Sequence, residues 1–134
     1  MLQIPTDRKI LELPSAVVWF DDDGILNVKS KGISVSMEIV KANGEALKKF
    51  LAGKKVCCLY DTSAGAGMDQ QTASWVNKQL EGMYTAIAVL SNTKRGNIAA
   101  TVLTVITPSL IPLQIFNAEC EAREWLKQYN CTSK

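Results

Sequence analysis

The sequence contains no histidine among its 134 residues, and that absence removes several kinds of site. Catalysis of the Ser-His-Asp or Cys-His type needs an imidazole to take up and return a proton, so neither arrangement is available. Zinc sites with histidine ligands are excluded for the same reason. No other pairing of acid, base and nucleophile stands out, so the chain is interpreted as a non-enzymatic protein with no cofactor and no metal.

Long apolar runs and strong net charge are also missing. No segment approaches the roughly 18 consecutive apolar residues of a membrane span, so stable membrane insertion is not expected. The formal net charge is only +2, whereas nucleic-acid-binding proteins more often have a concentrated basic surface, so no nucleic-acid partner is expected. Residues 1–8 lack the apolar core of a signal peptide, and a cytoplasmic location is predicted.

The four cysteines include no Cys-x-x-Cys pair, which is the spacing of many redox and metal sites. Cys57 and Cys58 are neighbours in a predicted strand, so their side chains point to opposite faces of the sheet. This pattern favours small buried thiols in a reducing compartment.

A chain of 134 residues and 14.7 kDa fits a single domain. Residues 16–20 and 25–29 are rich in strand-forming side chains and flank the sequence Asp21-Asp22-Asp23-Gly24. An Asp-Gly pair between two such runs predicts a β-hairpin, because glycine accepts the positive φ that the turn requires. The aspartates are interpreted as a solvated turn, and residues 1–14 as an N-terminal extension of uncertain structure.

Helical and strand patterns alternate after the hairpin. Apolar residues recur at three- and four-residue steps as far as Leu51, which predicts an amphipathic helix with Ser34 as its N-cap. Gly44 inside this helix is interpreted as a close approach to the sheet. Further predicted elements are strands over 56–61, 85–90 and 112–116, and helices that begin at Asp69, Asn97 and Asn117. The stretch 98–107 has the Val, Ile and Thr content of a strand, but the alternation of elements favours a helix.

This order of elements predicts an α/β fold. The sheet is expected to be mixed, mostly parallel and five-stranded, because strands that alternate with helices are joined by right-handed crossovers. The opening hairpin adds an antiparallel edge, and about four helices cover the sheet. All of these elements are expected in one domain.

The end of the predicted strand Val56–Asp61 is the most informative part of the chain. It leads into a loop of hydroxyls and glycines, and ligands or partners usually dock where parallel strands end and helices begin. Asp61 is a charge at the end of a buried strand and needs hydrogen-bond partners, which we expect from amides of the 62–67 loop. That loop lacks the lysine of a P-loop and the third glycine of the dinucleotide fingerprint.

A second loop, which contains Lys94 and Arg95, follows the strand over 85–90 and is expected at the same edge of the sheet. Its charges suit an acidic partner segment or a phosphate group. Trp75 departs from the apolar stripe of its helix, so it either is exposed beside this surface or covers the neighbouring helix. The residues predicted to bind a partner or ligand are Asp61, Thr62, Ser63, Asp69, Gln70, Thr72, Lys94 and Arg95.

Several short motifs occur in the order found in a known superfamily. They are Trp19 with Asp22-Asp23-Gly24-Ile25-Leu26, Asp61 at a strand end, residues 86–90 before a polar loop, and residues 111–117 followed by 121–126. With these motifs, the chain from about residue 16 to residue 129 resembles the STAS-like superfamily of anti-sigma-factor antagonists. It resembles an uncharacterised bacterial subfamily more closely.

The resemblance implies a regulatory module that docks a protein partner, such as a regulatory kinase or an anti-sigma-like protein, or a second copy of itself as a homodimer. In antagonists of that superfamily a serine follows an aspartate at the start of the second helix, and a partner kinase phosphorylates it. Here Gln70 follows Asp69, and glutamine has no hydroxyl to phosphorylate. Thr72 and Ser63 lie close by and are the remaining candidate phosphorylation sites.

A carrier for a small apolar or anionic ligand, such as a lipid, is the alternative function. Related lipid-transfer folds share this kind of sheet, and apolar residues of the predicted 98–107 helix could cover a pocket. A carrier needs apolar residues on both faces of that helix, and Ala99, Val102, Leu103 and Ile106 come close to this. The sequence leaves both functions open.

Overall fold

The computed structural model describes residues 2–33, 36–62, 70–80, 82–91 and 111–129. These residues form a six-stranded sheet whose strands lie side by side in the order in which they occur in the chain. Its elements are β1 (Leu11–Glu12), β2 (Ala16–Phe20), β3 (Leu26–Ser30), α1 (Met37–Leu51), β4 (Val56–Asp61), α2 (Gln70–Leu80), β5 (Tyr84–Leu90), β6 (Leu113–Phe116) and α3 (Glu119–Leu126). Strands β1 to β3 pair antiparallel, and β3 to β6 pair parallel. The predicted mixed α/β class is confirmed, and the helix predicted over 98–107 lies outside the described residues.

The sheet has one strand more than the five that the sequence predicts. The additional strand is β1, in which Leu11 pairs with Val18 and Glu12 pairs with Val17. Two residues are too few to show the period-two alternation by which a strand is recognised in a sequence. The N-terminal extension is therefore part of the sheet, and Leu13 beside the turn into β2 is buried in the core.

Different helices cover the two faces of the sheet. Leu47 of α1 and Val76 of α2 pack with Val28 in a cluster on one face. Leu126 of α3 packs with Leu59 in a second cluster on the other face. Crossovers between neighbouring parallel strands share one hand, and this places α1 and α2 on the same side.

The adjacent cysteines of β4 point to these opposite faces, as predicted. Cys57 belongs to the cluster under α3, and Cys58 belongs to the cluster under α1 and α2. Both thiol positions are buried, and Cys58 is free. Cys57, however, is disulfide-bonded, so the prediction of reduced thiols is wrong for this residue. Because disulfides are uncommon in reducing compartments, the bond at Cys57 departs from the reducing environment that the cysteine pattern favours.

The helices begin at positions that differ slightly from the predicted ones. Ser36 caps α1 by accepting a hydrogen bond from the Ile39 amide at 3.3 Å, so the predicted cap Ser34 is wrong. The N-cap position of α3 is Ala118, which makes no side-chain cap bond, so Asn117 is not the cap. Two glutamates in the first turn of α3 favour its start through the helix dipole instead. Of the helices in the described ranges, none combines the length and apolarity that a membrane span requires.

Gly44 faces a helix and not the sheet, which corrects the predicted close approach. A methyl group built at this position would meet the Trp75 ring of α2 at 3.9 Å, an ordinary contact distance. Its backbone is not among the positive-φ positions, which do include Gly53. Gly44 is therefore an ordinary helical residue with the high backbone entropy of glycine.

Replacement of Gly44 by alanine is expected to stabilise the protein by about 0.5–1 kcal/mol, because alanine is the better helix former and finds room beside Trp75. Urea unfolding measures this change. Gly53→Ala is the matched control, because space surrounds Gly53 but its φ of +82° strains any other residue. The control is expected to lose stability, and a loss in Gly44→Ala would contradict the prediction.

Candidate functional site

The carboxylate of Asp61 lies at the carboxyl end of β4, where the sequence predicts the site, and it is only 2% exposed. Its Oδ2 accepts a hydrogen bond from the Leu2 amide at 2.8 Å and lies 3.5 Å from Lys29 Nζ. Lys29 Nζ also donates to the Leu2 carbonyl at 2.7 Å. These two partners are the backbone of the N-terminal segment and a lysine of β3. The expected partners, amides of the 62–67 loop, lie outside the described residues from residue 63 onward, so that expectation stays a prediction.

A carboxylate at this depth needs such partners, because burying a charge without hydrogen bonds and a counter-charge is costly. The Leu2 side chain is itself buried in the cluster under α3, beside Trp19 and Leu59. The chain near Leu2 is therefore held across the ends of β3 and β4 by both its backbone and its side chain. We call the triad of Leu2, Lys29 and Asp61 the edge triad.

Two members of the edge triad, Leu2 and Lys29, are not among the residues that the sequence predicts for this site. Lys29 lies in a predicted strand with other lysines nearby in the chain, and no local pattern distinguishes it. Leu2 lies in the extension for which no structure is predicted, and 59 residues separate it from Asp61. The one signal in the sequence was the need of Asp61, at the end of a buried strand, for hydrogen-bond partners.

Thr62 follows Asp61 and extends the pairing of β4 with β5. Its amide and its hydroxyl both donate to the Leu90 carbonyl at 2.9 Å, and the residue is buried. On the next strand the Ser91 amide donates to the Phe116 carbonyl at 2.9 Å. The hydroxyl of Thr62 is therefore engaged within the sheet edge.

Thr72 lies in the first turn of α2 and is 2% exposed. A kinase cannot reach a hydroxyl at that depth while the helix is in this position, so phosphorylation there would require α2 to move. Gln70 is the first residue of α2. The other predicted site residues, Ser63, Asp69, Lys94 and Arg95, lie outside the described residues, and the expected proximity of Asp61 to Arg95 stays a prediction.

Trp75 covers the neighbouring helix, which is one of the two positions that the sequence left open. Its ring is half-buried against Gly44 of α1, and Lys41 Nζ lies 6.0 Å from the ring centroid. That arrangement fits a cation–π contact at the surface.

A second charged cluster lies away from the predicted site and joins the hairpin to α3. Arg123 donates to Asp21 at 2.5 Å, to Asn27 at 3.0 Å and to Glu119 at 2.8 Å. Asn27 in turn donates to Asp21 at 3.1 Å, and the Ile25 amide donates to the same carboxylate at 3.0 Å. Asp21 is therefore an anchor and not part of a solvated turn, although Asp22 and Asp23 are exposed as predicted.

Two opposing effects act on the pKa of Asp21. Burial raises it, while hydrogen bonds from Arg123, Asn27 and the Ile25 amide lower it and prevail, so the pKa lies below its ordinary value. A carboxyl whose pKa is lowered by folding stabilises the protein above its unfolded-state pKa, and this contribution is lost as the pH falls through the folded-state pKa.

The fold and the sequence are both similar to those of known proteins. The model of the DUF7793 family, which is described as a domain of unknown function, matches residues 18–130. A protein of known structure that is similar to this chain is an uncharacterised DUF3478-family protein from Shewanella loihica PV-4 with a SpoIIAA-like fold. The two chains are 20% identical with a TM-score of 0.56, and the match covers 84% of this chain and 92% of the other. No curated protein matches the sequence.

The SpoIIAA-like fold of that neighbour confirms the STAS-like resemblance at the level of the fold. The family match begins inside β2, so the segment that contains Leu2 precedes it. The edge triad is therefore completed by a residue outside the matched region.

Replacement of Lys29 by methionine is expected to loosen the N-terminal segment, because it removes the counter-charge of Asp61 and the bond to the Leu2 carbonyl. Hydrogen bonds to charged groups contribute roughly 1.5–3 kcal/mol, so amide exchange near Leu2 should speed up at least tenfold. Hydrogen-exchange mass spectrometry of the N-terminal peptide measures this.

Lys31→Met is the matched control for this experiment. The Lys31 side chain is 31% exposed, against 33% for Lys29, and each ammonium lies 3.5 Å from its carboxylate partner. The partner of Lys31, however, is Glu12, which is 72% exposed, and such surface pairs contribute little. Equal effects of the two replacements would contradict the importance of the edge triad.

Replacement of Asp21 by asparagine is expected to destabilise the protein by about 1–3 kcal/mol near neutral pH, since an amide would face the donors of Arg123 and Asn27. The difference from the unmodified protein should be largest above about pH 5 and should shrink as the pH is lowered below about 4. Urea unfolding at pH 7 and pH 3 tests both points.

Asp22→Asn is the control, because the Asp22 side chain is 92% exposed and pairs with Arg8 at the surface. Its effect should stay within about 0.5 kcal/mol at either pH. A pH-independent loss in Asp21→Asn would show that geometry alone, and not the charge of Asp21, sustains the cluster.

Proposed function

We propose that this chain, which belongs to the DUF7793 family of domains of unknown function, is a non-enzymatic regulatory module that acts by binding a protein partner or a second copy of itself. The observation that carries this proposal is the SpoIIAA-like fold combined with the engaged groups of the edge triad. In such a fold the carboxyl edge of the sheet is the usual place for a functional contact.

The chemistry of the described edge supports binding over catalysis. Asp61 is paired with Lys29 and the Leu2 amide, and the Thr62 hydroxyl donates to the Leu90 carbonyl. A general base or nucleophile must instead be within reach of a substrate. With no histidine anywhere in the sequence, these two side chains are better suited to holding the edge rigid.

The proposed contact surface is formed by the segment that leads from β4 into α2 together with the loop that follows β5. Ser63, Asp69, Gln70, Lys94 and Arg95 are the proposed contact residues. We assign buried Asp61, Thr62 and Thr72 to supporting this surface from beneath. The adjacent cations Lys94 and Arg95 suit an acidic segment of the partner.

We place the module in the cytoplasm, where a protein of this regulatory class meets its partners. The disulfide of Cys57 would have to persist there against cellular thiols. Thiol exchange needs access of the attacking thiolate to one of the two sulfurs, and Cys57, at 0% exposed, is closed to direct attack.

The double replacement Lys94→Glu and Arg95→Glu is expected to reduce partner binding at least tenfold, because it reverses both charges that would face an acidic segment. Affinity purification from cells of the source organism measures heterologous binding, and analytical ultracentrifugation of the purified chain measures self-association.

Lys54→Glu with Lys55→Glu is the matched control, since these two adjacent lysines are exposed and follow α1 at the opposite edge of the sheet. The control should retain the partner. Equal loss of partner binding in both double variants would indicate non-specific charge effects. Full retention of the partner by the Lys94→Glu, Arg95→Glu variant would refute the proposed surface. A chain that recovers no partner and stays monomeric would refute the module itself.

A further inference from the structure

A cavity of about 110 Å³ lies between the sheet and the two helices α1 and α2. Its described walls are mainly apolar and come from both layers, with Val40 and Leu47 on α1, Val76 on α2, and Val28, Ile87 and Leu113 on the sheet. Protein interiors are normally packed without voids larger than a water molecule. A partly open space of this size against the main core is therefore a candidate ligand site.

One polar group on the cavity wall lacks a hydrogen bond. Asn43 of α1 donates through Nδ2 to the Ser15 hydroxyl at 2.6 Å, but its Oδ1 is buried and has no hydrogen-bond partner within the described ranges. It is the single side-chain nitrogen or oxygen in this condition among the residues that the structure describes. Buried polar atoms are nearly always hydrogen-bonded, so this amide oxygen is available to accept a hydrogen bond from a group that enters the cavity.

Either orientation of the Asn43 amide leaves one polar group beside the cavity without a partner among the described residues. If its oxygen and nitrogen exchange places, the Ser15 hydroxyl donates to the oxygen and the NH₂ group is left facing the cavity. One orientation needs a donor in the cavity and the other needs an acceptor. A hydroxyl group is both, and it satisfies the amide in either orientation.

The cavity is suited to a neutral occupant. No charged side chain is found among its described lining residues. Burial raises the pKa of Tyr60 to about 12 and raises that of Tyr84 well above its ordinary value, so both hydroxyls stay neutral at physiological pH. An anionic headgroup would find no counter-charge among these described residues, and burying an unpaired charge is costly.

The size of the cavity limits the occupant further. An apolar cavity of about 150 Å³ in another protein holds benzene. A space of about 110 Å³ is smaller than that, so it takes at most one small ring or a chain of a few carbons, and it is too small for the acyl chain of a lipid. A surface depression between α1 and α2 shares Gly44, Trp75, Gln79 and Met83 with the cavity wall, so the two spaces adjoin beside the Trp75 ring.

We propose that this cavity binds a small neutral molecule with an apolar body and a single hydroxyl group, which hydrogen-bonds to the Asn43 amide. The apolar walls supply affinity, and Asn43 selects the hydroxyl. This binding site is separate from the edge triad and does not depend on the docking function proposed above.

Phenol and benzene are the probes, because they share a ring and differ by the hydroxyl. Titration of the ¹⁵N-labelled chain should give saturable shifts confined to α1, α2 and the sheet residues that face them. Phenol should bind about five- to tenfold more tightly than benzene, the difference that one additional net hydrogen bond provides. Benzoate, which has the same ring and a negative charge, should not bind.

Asn43→Leu keeps the approximate shape of the side chain and removes its polar end. In this variant benzene should still bind and phenol should bind more weakly than benzene, because its hydroxyl is then buried without a partner. Val76→Phe should fill the cavity and abolish the binding of both probes. Ala42→Leu, on the exposed face of α1, should change neither.

Three results would overturn the proposal. The first is the absence of saturable binding by either probe, and the second is a set of shifts spread over the surface away from α1 and α2. The third is equal affinity of the unmodified chain for phenol and benzene, which would remove the role of Asn43. That ratio is measured on the unmodified chain, so the test stands even if a variant does not fold.

Discussion

The buried charge of Asp61 constrains the carboxyl edge of the sheet more than any other group. A carboxylate at that depth must be met by hydrogen bonds and a counter-charge, and the chain supplies them from Leu2 and Lys29. To do so, the segment before β1 must cross the ends of β3 and β4. The edge at which open α/β proteins commonly bind ligands is thus partly occupied by the chain itself, and for this reason its described groups fit a rigid support better than a reaction centre.

The two faces of the sheet are closed by different means. On the α3 face, apolar packing is combined with the charged cluster in which Arg123 joins Asp21 and Asn27, residues 102 and 96 positions away. Each hydrogen-bonding group of that cluster faces a complementary one, so it fixes where α3 lies on the sheet. On the other face, the Asn43 amide oxygen has no partner among the residues that the structure describes, and a cavity lies beside it. This open polar group distinguishes the described part of that face from the hydrogen-bonded network under α3.

The sequence predicts those parts of the structure that have local causes. The hairpin follows from an Asp-Gly turn between strand-forming runs, and β4, β5 and α1 follow from their apolar spacing. Contacts across long sequence separations have no such signal, so neither β1 nor the contacts of Asp61 with Leu2 and Lys29 were predicted. The burial of Thr72 is hidden for a related reason, since a residue in the first turn of a helix is exposed or buried according to what packs against it. The predicted caps Ser34 and Asn117 are wrong by one or two residues, because a sequence pattern locates the start of a helix only to within that distance.

Helix α2 connects the cavity to the proposed docking surface. Val76, Trp75 and Gln79 of this helix line the cavity, and Gln70 begins it next to the segment that leaves β4. Suppose that the chain has two states that differ in the position of α2. A ligand shifts the equilibrium between them only by the difference in its affinity for each, so a cavity occupant that leaves α2 in place cannot alter docking. An occupant that moves Trp75 away from α1 would displace the helix that carries Gln70. Coupling between the two sites would then be reciprocal, and partner binding would change the affinity of the cavity by the same factor.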